Sequence, residues 1–172
     1  MILPEVRLQI APNPIFRQKA FPVKEINSEI KHIVSSMYDI MYENGAVGIG
    51  ANMVGVLKRV VVVDLQESLQ KDPITMINPV ITKKSQELQT YEEGSLSYPG
   101  IKAMVERPKE IEVKYLDING KPNSMSAEGW LATVIQHEVD YLDGKVFLDY
   151  VSPMKRKMLL KKMEKHIKNN KL

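Results

Sequence analysis

Gln136-His137-Glu138-Val139-Asp140-Tyr141 is the stretch on which the fold assignment turns. In the helical pattern His-Glu-x-x-His, two imidazoles four residues apart lie on one helix face and grip a single metal ion, while the Glu handles a proton. This chain has His137 and Glu138 in place, but Tyr141 stands where the second imidazole belongs. The surroundings are helical: residues 130–142 read as one helix that stops at Asp143-Gly144.

Outward from that helix the pattern changes character. Upstream, Ile111, Val113 and Tyr115 alternate with charged residues, and Asn119-Gly120 supplies a hairpin turn into a following strand. Arg59-Val60-Val61-Val62-Val63-Asp64 is a β-branched run that reads as a buried strand, and a further strand is expected over 74–81. Near the start, Ile30, Ile33, Val34, Met37 and Met41 fall at helical spacing, with Asn27 as cap and Gly45 as stop. Downstream, Ser152-Pro153 opens a last helix, with Ser as cap and Pro at the first helical position. Strands in the middle and helices toward the ends favour an α+β domain, and 172 residues without a linker or repeat make one domain, 1–172.

Composition narrows the class. Hydrophobic residues at 44% and charged residues at 26% suit a globular core rather than a disordered chain. No apolar run reaches membrane-spanning length, and Met1-Ile2-Leu3-Pro4-Glu5 lacks the basic and apolar regions of a signal peptide, so a cytoplasmic protein without a membrane partner is expected. The absence of cysteine excludes both a disulfide framework and a thiolate metal ligand. Net charge of +3 hides an asymmetry: residues 152–172 hold eight Lys or Arg against Glu164 alone, a tail of +7, which leaves −4 on the first 151 residues. Such a tail suits a nucleic acid, a ribosome or an anionic surface without reading sequence; the alternative is a solvated, frayed terminal helix.

Two more segments complete a set. Ala46-Val47-Gly48-Ile49-Gly50-Ala51-Asn52-Met53, Glu93-Gly94-Ser95-Leu96-Ser97 and the 136–141 stretch, in that order and spacing, resemble the three signature motifs of the peptide deformylases. The framing segments agree, namely the Val-rich strand, Asp117-Ile118-Asn119-Gly120-Lys121-Pro122 and Gly144-Lys145-Val146-Phe147-Leu148-Asp149-Tyr150, so the resemblance spans nearly the whole chain. It implies antiparallel sheets packed around a central helix carrying His137-Glu138, plus a C-terminal helix. It also implies removal of the formyl group from N-formyl-Met peptides. In the family a metal, often Fe2+, is held by one Cys and two His and supplies the hydroxide nucleophile. A Glu shuttles the proton, and a Gln side chain with a Leu backbone N–H supports the oxyanion.

Carried over residue by residue, that machinery is depleted. Ser95 occupies the Cys position, Tyr141 that of the second His, and Met53, which cannot donate a hydrogen bond, that of the Gln. Remaining are His137 as a single metal ligand, Glu138 as a vestigial acid/base and Leu96 as a backbone oxyanion donor. Lys102 stands where the family has an Arg behind the second motif. One imidazole is a poor hold for a metal, so no cofactor is expected, with Fe2+ or Zn2+ the ions if the site is active. The leading expectation is a deformylase-like protein that is inactive or strongly impaired. Three alternatives stay open: an active enzyme with an atypical metal site, a non-catalytic formyl-peptide or ribosome-binding module, and a metal-free hydrolase using Ser95 beside His137.

Without a metal, His137 should bond Ser95, Tyr141 or water, Tyr141 should fill the emptied ligand position, and Met53 should pack against the same helix. Burial should raise the pKa of Glu138, with Tyr or backbone groups as its partners. The resemblance makes Val47, Gly48, Trp130, Thr133 and Val134 the walls of a peptide pocket, with Trp130 alternatively a core residue that narrows or closes it.

Overall fold

A computed structural model of the chain describes residues 2–172. The first helix, α1, runs Ser28–Glu43, and the Ile30 N–H donates to the Asn27 side chain at 3.1 Å, as a capping residue requires. Its buried stripe is Ile30, Ile33, Val34, Met37 and Met41, and Gly45 follows in the left-handed region. Next come β1 (Gly48–Gly50) and β2 (Val60–Val63), then β3 (Ile74–Lys84), β4 (Leu88–Ser95) and β5 (Tyr98–Pro108). β6 (Glu110–Leu116), β7 (Pro122–Glu128), α2 (Gly129–Leu142) and α3 (Pro153–Asn170) complete the order.

Five strands form one antiparallel sheet in the order β1-β2-β3-β6-β7, and β4-β5 form a separate hairpin. The four valines of β2 are fully buried because both faces of the sheet are covered. Val60 and Val62 meet the α1 side with Ile33 and Met37; Val61 and Val63 meet Ile135, Val139 and Leu142 of α2. Helix α2 lies between the large sheet and the β4–β5 hairpin. Residues 132–139 of it are buried all round, as a helix without a solvent face must be.

The hairpin was not among the expected strands. Its signal is a period of two in β5, where buried Ile101, Ala103, Val105 and Arg107 alternate with exposed Lys102, Met104 and Glu106. The expected strand over 74–81 continues to Lys84, and the turn before β7 rests on Asp117, whose side chain accepts from the N–H groups of Asn119 and Lys121 at 2.9 Å each.

The frayed reading of the tail is corrected. Ser152 caps α3 by accepting from Lys155 N–H at 3.2 Å, Met163 is buried, and Leu159, Leu160 and Ile167 pack on the core. The His166 ring lies over Gly100, whose φ of +79° and lack of a Cβ give the ring its room. Apart from half-buried Arg156, which pairs with Asp149, the basic side chains of α3 are exposed. Among the described residues no helix is long and apolar enough to cross a membrane.

Gly100→Ala should therefore loosen α3, because a methyl group there meets the His166 ring and the left-handed backbone alone costs about 1–2 kcal/mol. The expected result is a melting temperature lower by several degrees and faster tryptic cleavage within 155–171; an unchanged cleavage rate would contradict it.

Candidate functional site

One cleft of about 1050 Å³ gathers the three motifs. The chain entering β1 supplies Val47 and Gly48, and the 3-10 turn after it supplies Met53. The end of β4 and its turn supply Glu93, Ser95 and Leu96, while α2 supplies Trp130, Thr133, Val134, His137 and Glu138. All five expected wall residues thus sit in one cavity. Trp130 lies at its side against Tyr91, ring centroids 5.2 Å apart, and leaves the cleft open. Thr133 receives a hydrogen bond from the Gln89 side chain at 3.0 Å. Gly48 is required where it is: a Cβ would lie 2.9 Å from Val134 and 3.0 Å from Glu138.

The partners of His137 differ from those expected. Its Nδ1 lies 2.7 Å from Glu93 Oε1, not against Ser95 or Tyr141. Glu93 also receives Arg107 Nε at 2.7 Å and a second guanidinium nitrogen at 2.9 Å. Arg107 in turn donates to Asp140 at 2.8 Å, and the Tyr150 hydroxyl donates to the same carboxylate oxygen at 2.6 Å. Burial pushes the Glu93 carboxyl up, but the bonds from His137 and Arg107 outweigh it and hold the pKa below the usual value. With Glu93 ionised, Nδ1 is the donor, and in the neutral ring Nε2 keeps its lone pair. The cation behind the second motif is therefore Arg107; Lys102 is exposed at the rim, 3.9 Å from Glu92.

Tyr141 is fully buried behind the cleft, in van der Waals register with Phe16 and with its ring centroid 5.5 Å from that of His137. Its hydroxyl and Ser95 Oγ are 2.7 Å apart, and Ser95 Oγ also accepts from Ser97 N–H at 3.2 Å. Burial drives the phenol pKa well above its ordinary value, an effect the Ser95 bond only partly offsets. Ser95 and His137 thus bond different partners, and no Ser–His hydrogen bond links them among the described residues. Met53 is buried with its sulfur 3.5 Å from Gly50 N–H, and the neighbouring Asn52 side chain donates to the Tyr141 carbonyl.

Of the partners expected for Glu138, no tyrosine reaches it, whereas a backbone group does, the N–H of Gly50. One carboxylate oxygen has no hydrogen-bond partner, and the other is 3.7 Å from His137 Nε2. Burial raises its pKa to about 7, moderated by His137 and by the Gly50 N–H. Among the described residues no group of three or more His, Cys, Asp or Glu side chains is arranged to hold a metal ion. Glu93 and Asp140 lay inside the quoted motifs, but their roles needed a partner. That partner, Arg107, sits on β5, outside all three motifs.

Comparison with known proteins agrees with this geometry. The family model described as Polypeptide deformylase matches residues 6–157. A Rickettsia conorii protein named peptide deformylase-like is 53% identical over 165 residues, covering 96% of this chain and 90% of the relative. The peptide deformylase of Rhizobium meliloti is 42% identical over 162 residues, covering 94% of this chain and 93% of its own length. A solved peptide deformylase from Legionella pneumophila superposes with a TM-score of 0.91 at 34% identity, covering 96% of this chain and 97% of that one. The fold implied by the three motifs is the fold observed.

The raised pKa of Glu138 makes stability depend on pH. Below its ordinary value of 4.5 the carboxyl is neutral folded or unfolded and burial carries no charge penalty. As pH rises toward about 7 the unfolded chain loses the proton and the folded one resists, so stability falls. Glu138→Gln should thus raise the unfolding free energy at pH 8 by an amount on the order of 1–3 kcal/mol, seen as a higher melting temperature, and change it little at pH 4.5. Equal effects at both pH values would show that Glu138 carries no such penalty.

Proposed function

The chain belongs to the polypeptide deformylase family, and we propose that it is a member in which deformylation of N-formyl-Met peptides is lost or strongly impaired while the cleft persists as a peptide-binding groove. The observation that carries this reading is the 2.7 Å hydrogen bond between Ser95 and Tyr141, the residues at two metal-ligand positions of the family pattern. Their oxygens are satisfied by each other, and the buried phenol resists ionisation. Neutral hydroxyl groups are poor ligands for a divalent cation, and His137 Nε2 is the one nitrogen left. The residues present do not fit the metal that gives the family its Lewis acid and its nucleophile.

Support also comes from the acceptor side of the reaction. Met53 supplies no donor to a developing oxyanion, and the loss of one such donor costs about 10²–10³ in turnover. The peptide groove needs none of these groups. β1 is an edge strand of the large sheet, beside Val47, Trp130 and Val134, and a peptide backbone can add to an edge with few particular side chains.

Purified protein should hold substoichiometric metal and turn over a formyl-Met tripeptide at least about 10³-fold more slowly than a deformylase assayed beside it. The combined change Ser95→Cys, Tyr141→His and Met53→Gln should raise the metal content. Stoichiometric metal in the unaltered chain, with turnover abolished by Glu138→Gln, would establish an active enzyme with an atypical site instead.

A second element of the proposal is contact with the ribosome. The exposed lysines of α3 sit on a helix docked along its length, a rigid display suited to phosphate contacts that carry no sequence information. Cosedimentation with ribosomes should weaken steeply with salt and with Lys161→Glu/Lys162→Glu. Binding indifferent to both would remove this part of the reading.

A further inference from the structure

The large sheet ends on an edge without a strand partner. β7 is last in the order β1-β2-β3-β6-β7 and pairs with β6 in an unbroken register, from Leu116 opposite Pro122 to Glu110 opposite Glu128. The phase of that ladder shows which backbone groups point outward. Asp117 N–H donates to the Lys121 carbonyl and Gly129 N–H to that of Lys109, so the odd-numbered residues of β7 turn their backbone groups to β6. Ser124 and Ser126 therefore turn N–H and C=O to the open side, where no partner meets them among the described residues. Glu128, the N-cap of α2, offers its N–H alone, because its carbonyl takes the first helical bond. Pro122 at the other end offers only a carbonyl. Edge strands are ordinarily guarded by an inner lysine, a bulge or a proline in mid-strand. Residues 123–127, Asn-Ser-Met-Ser-Ala, carry none of these.

We infer that β7 pairs with β7 of a second copy of this chain, antiparallel about a two-fold axis at Met125, so that two sheets become one. In that register Ser124 faces Ser126 of the other copy, and Glu128 faces Pro122. The lone N–H of Glu128 thus meets the lone carbonyl of Pro122, and every other outward donor finds an outward acceptor. Side chains agree with it. Half-buried Met125 meets its own counterpart at the axis, in a non-hydrogen-bonded pair, where side chains come closest. Exposed Lys121, just before the strand, falls beside exposed Glu128 of the other copy; a parallel pairing would set like charges together at both ends. Seven residues a side fall short of the roughly 20–30 a side of a standard interface, so the dimer is weak and depends on concentration. This surface is separate from the cleft, and the inference stands without the peptide-binding reading.

Sedimentation velocity on the unaltered chain should show monomer at micromolar and dimer at millimolar concentration. Hydrogen exchange at Ser124, Ser126 and Glu128 should slow only in the concentrated sample, while Asn123, Met125 and Ala127, bonded to β6, stay protected in both. Ser126→Pro deletes an outward donor, leaves the β6 ladder whole, and should weaken dimerisation at least tenfold with circular dichroism unchanged. A chain still monomeric at millimolar concentration would overturn the inference. So would a dimer that Ser126→Pro leaves as tight, or one whose Ser124, Ser126 and Glu128 amides exchange as fast as in the monomer. If Ser126→Pro fails to fold, the exchange comparison on the unaltered chain decides.

Discussion

The carboxylate of Glu93 joins the two halves of the molecule. It comes from β4, receives two hydrogen bonds from Arg107 on β5, and receives a third from His137 on α2. Through Arg107 and Asp140 the same network returns to α2 one turn later. A buried ion pair of this kind gives little net stability over an apolar pair, yet removing one partner typically costs about 3–5 kcal/mol because the other charge is stranded. Its effect is geometric. It sets the hairpin's distance from α2, hence the width of the cleft, and fixes the tautomer of His137 without reference to any metal.

The remaining polar groups sort themselves around that fixed point. Ser95 and Tyr141 make a closed pair, and Asn52 ties the first motif to the α2 backbone at Tyr141. What is left over is concentrated: Asn52 Oδ1, Ser97 Oγ and one oxygen of Glu138 are buried without partners among the described residues. Buried unpaired polar atoms are few in folded proteins and call for a reason. At Glu138 the reason is place, since the carboxyl sits in the wall of the large cleft, against the backbone of edge strand β1.

Legibility in the sequence followed the strength of the local physics. α1 was readable to within a residue because its apolar stripe, its Asn27 cap and the glycine after it agree with one another. β2 was readable because four consecutive valines admit few other fates. The β4–β5 hairpin was less legible because the one buried side chain of β4 is Glu93, and in β5 the apolar but exposed Met104 blurs the alternation of Ile101, Ala103 and Val105. The same blindness hid the partner of His137. A buried Arg–Glu pair between two strands has no signature in either segment alone, so the motif residues were found while the group that orients them was not.

Ser95 and Tyr141 also explain why these two substitutions belong together. A phenol in the buried position of an imidazole needs a partner for its hydroxyl, or it strands a polar group at a cost of about 1–3 kcal/mol. A serine facing it supplies that partner at 2.7 Å, short enough that one hydroxyl donates and the other accepts. Either change alone, in a site otherwise unaltered, would leave one hydroxyl against a group of poorer complementarity. The pair is therefore a coupled unit, and its stability term resides in the interaction rather than in either residue. Packing reinforces it: the Tyr141 ring is wedged between Phe16 and His137, so the hydroxyl is aimed at Ser95 by contacts that have nothing to do with hydrogen bonding. A polar site held this way is rigid, and rigidity is what keeps the neighbouring Glu138 and His137 acceptors facing each other across a gap that neither can close.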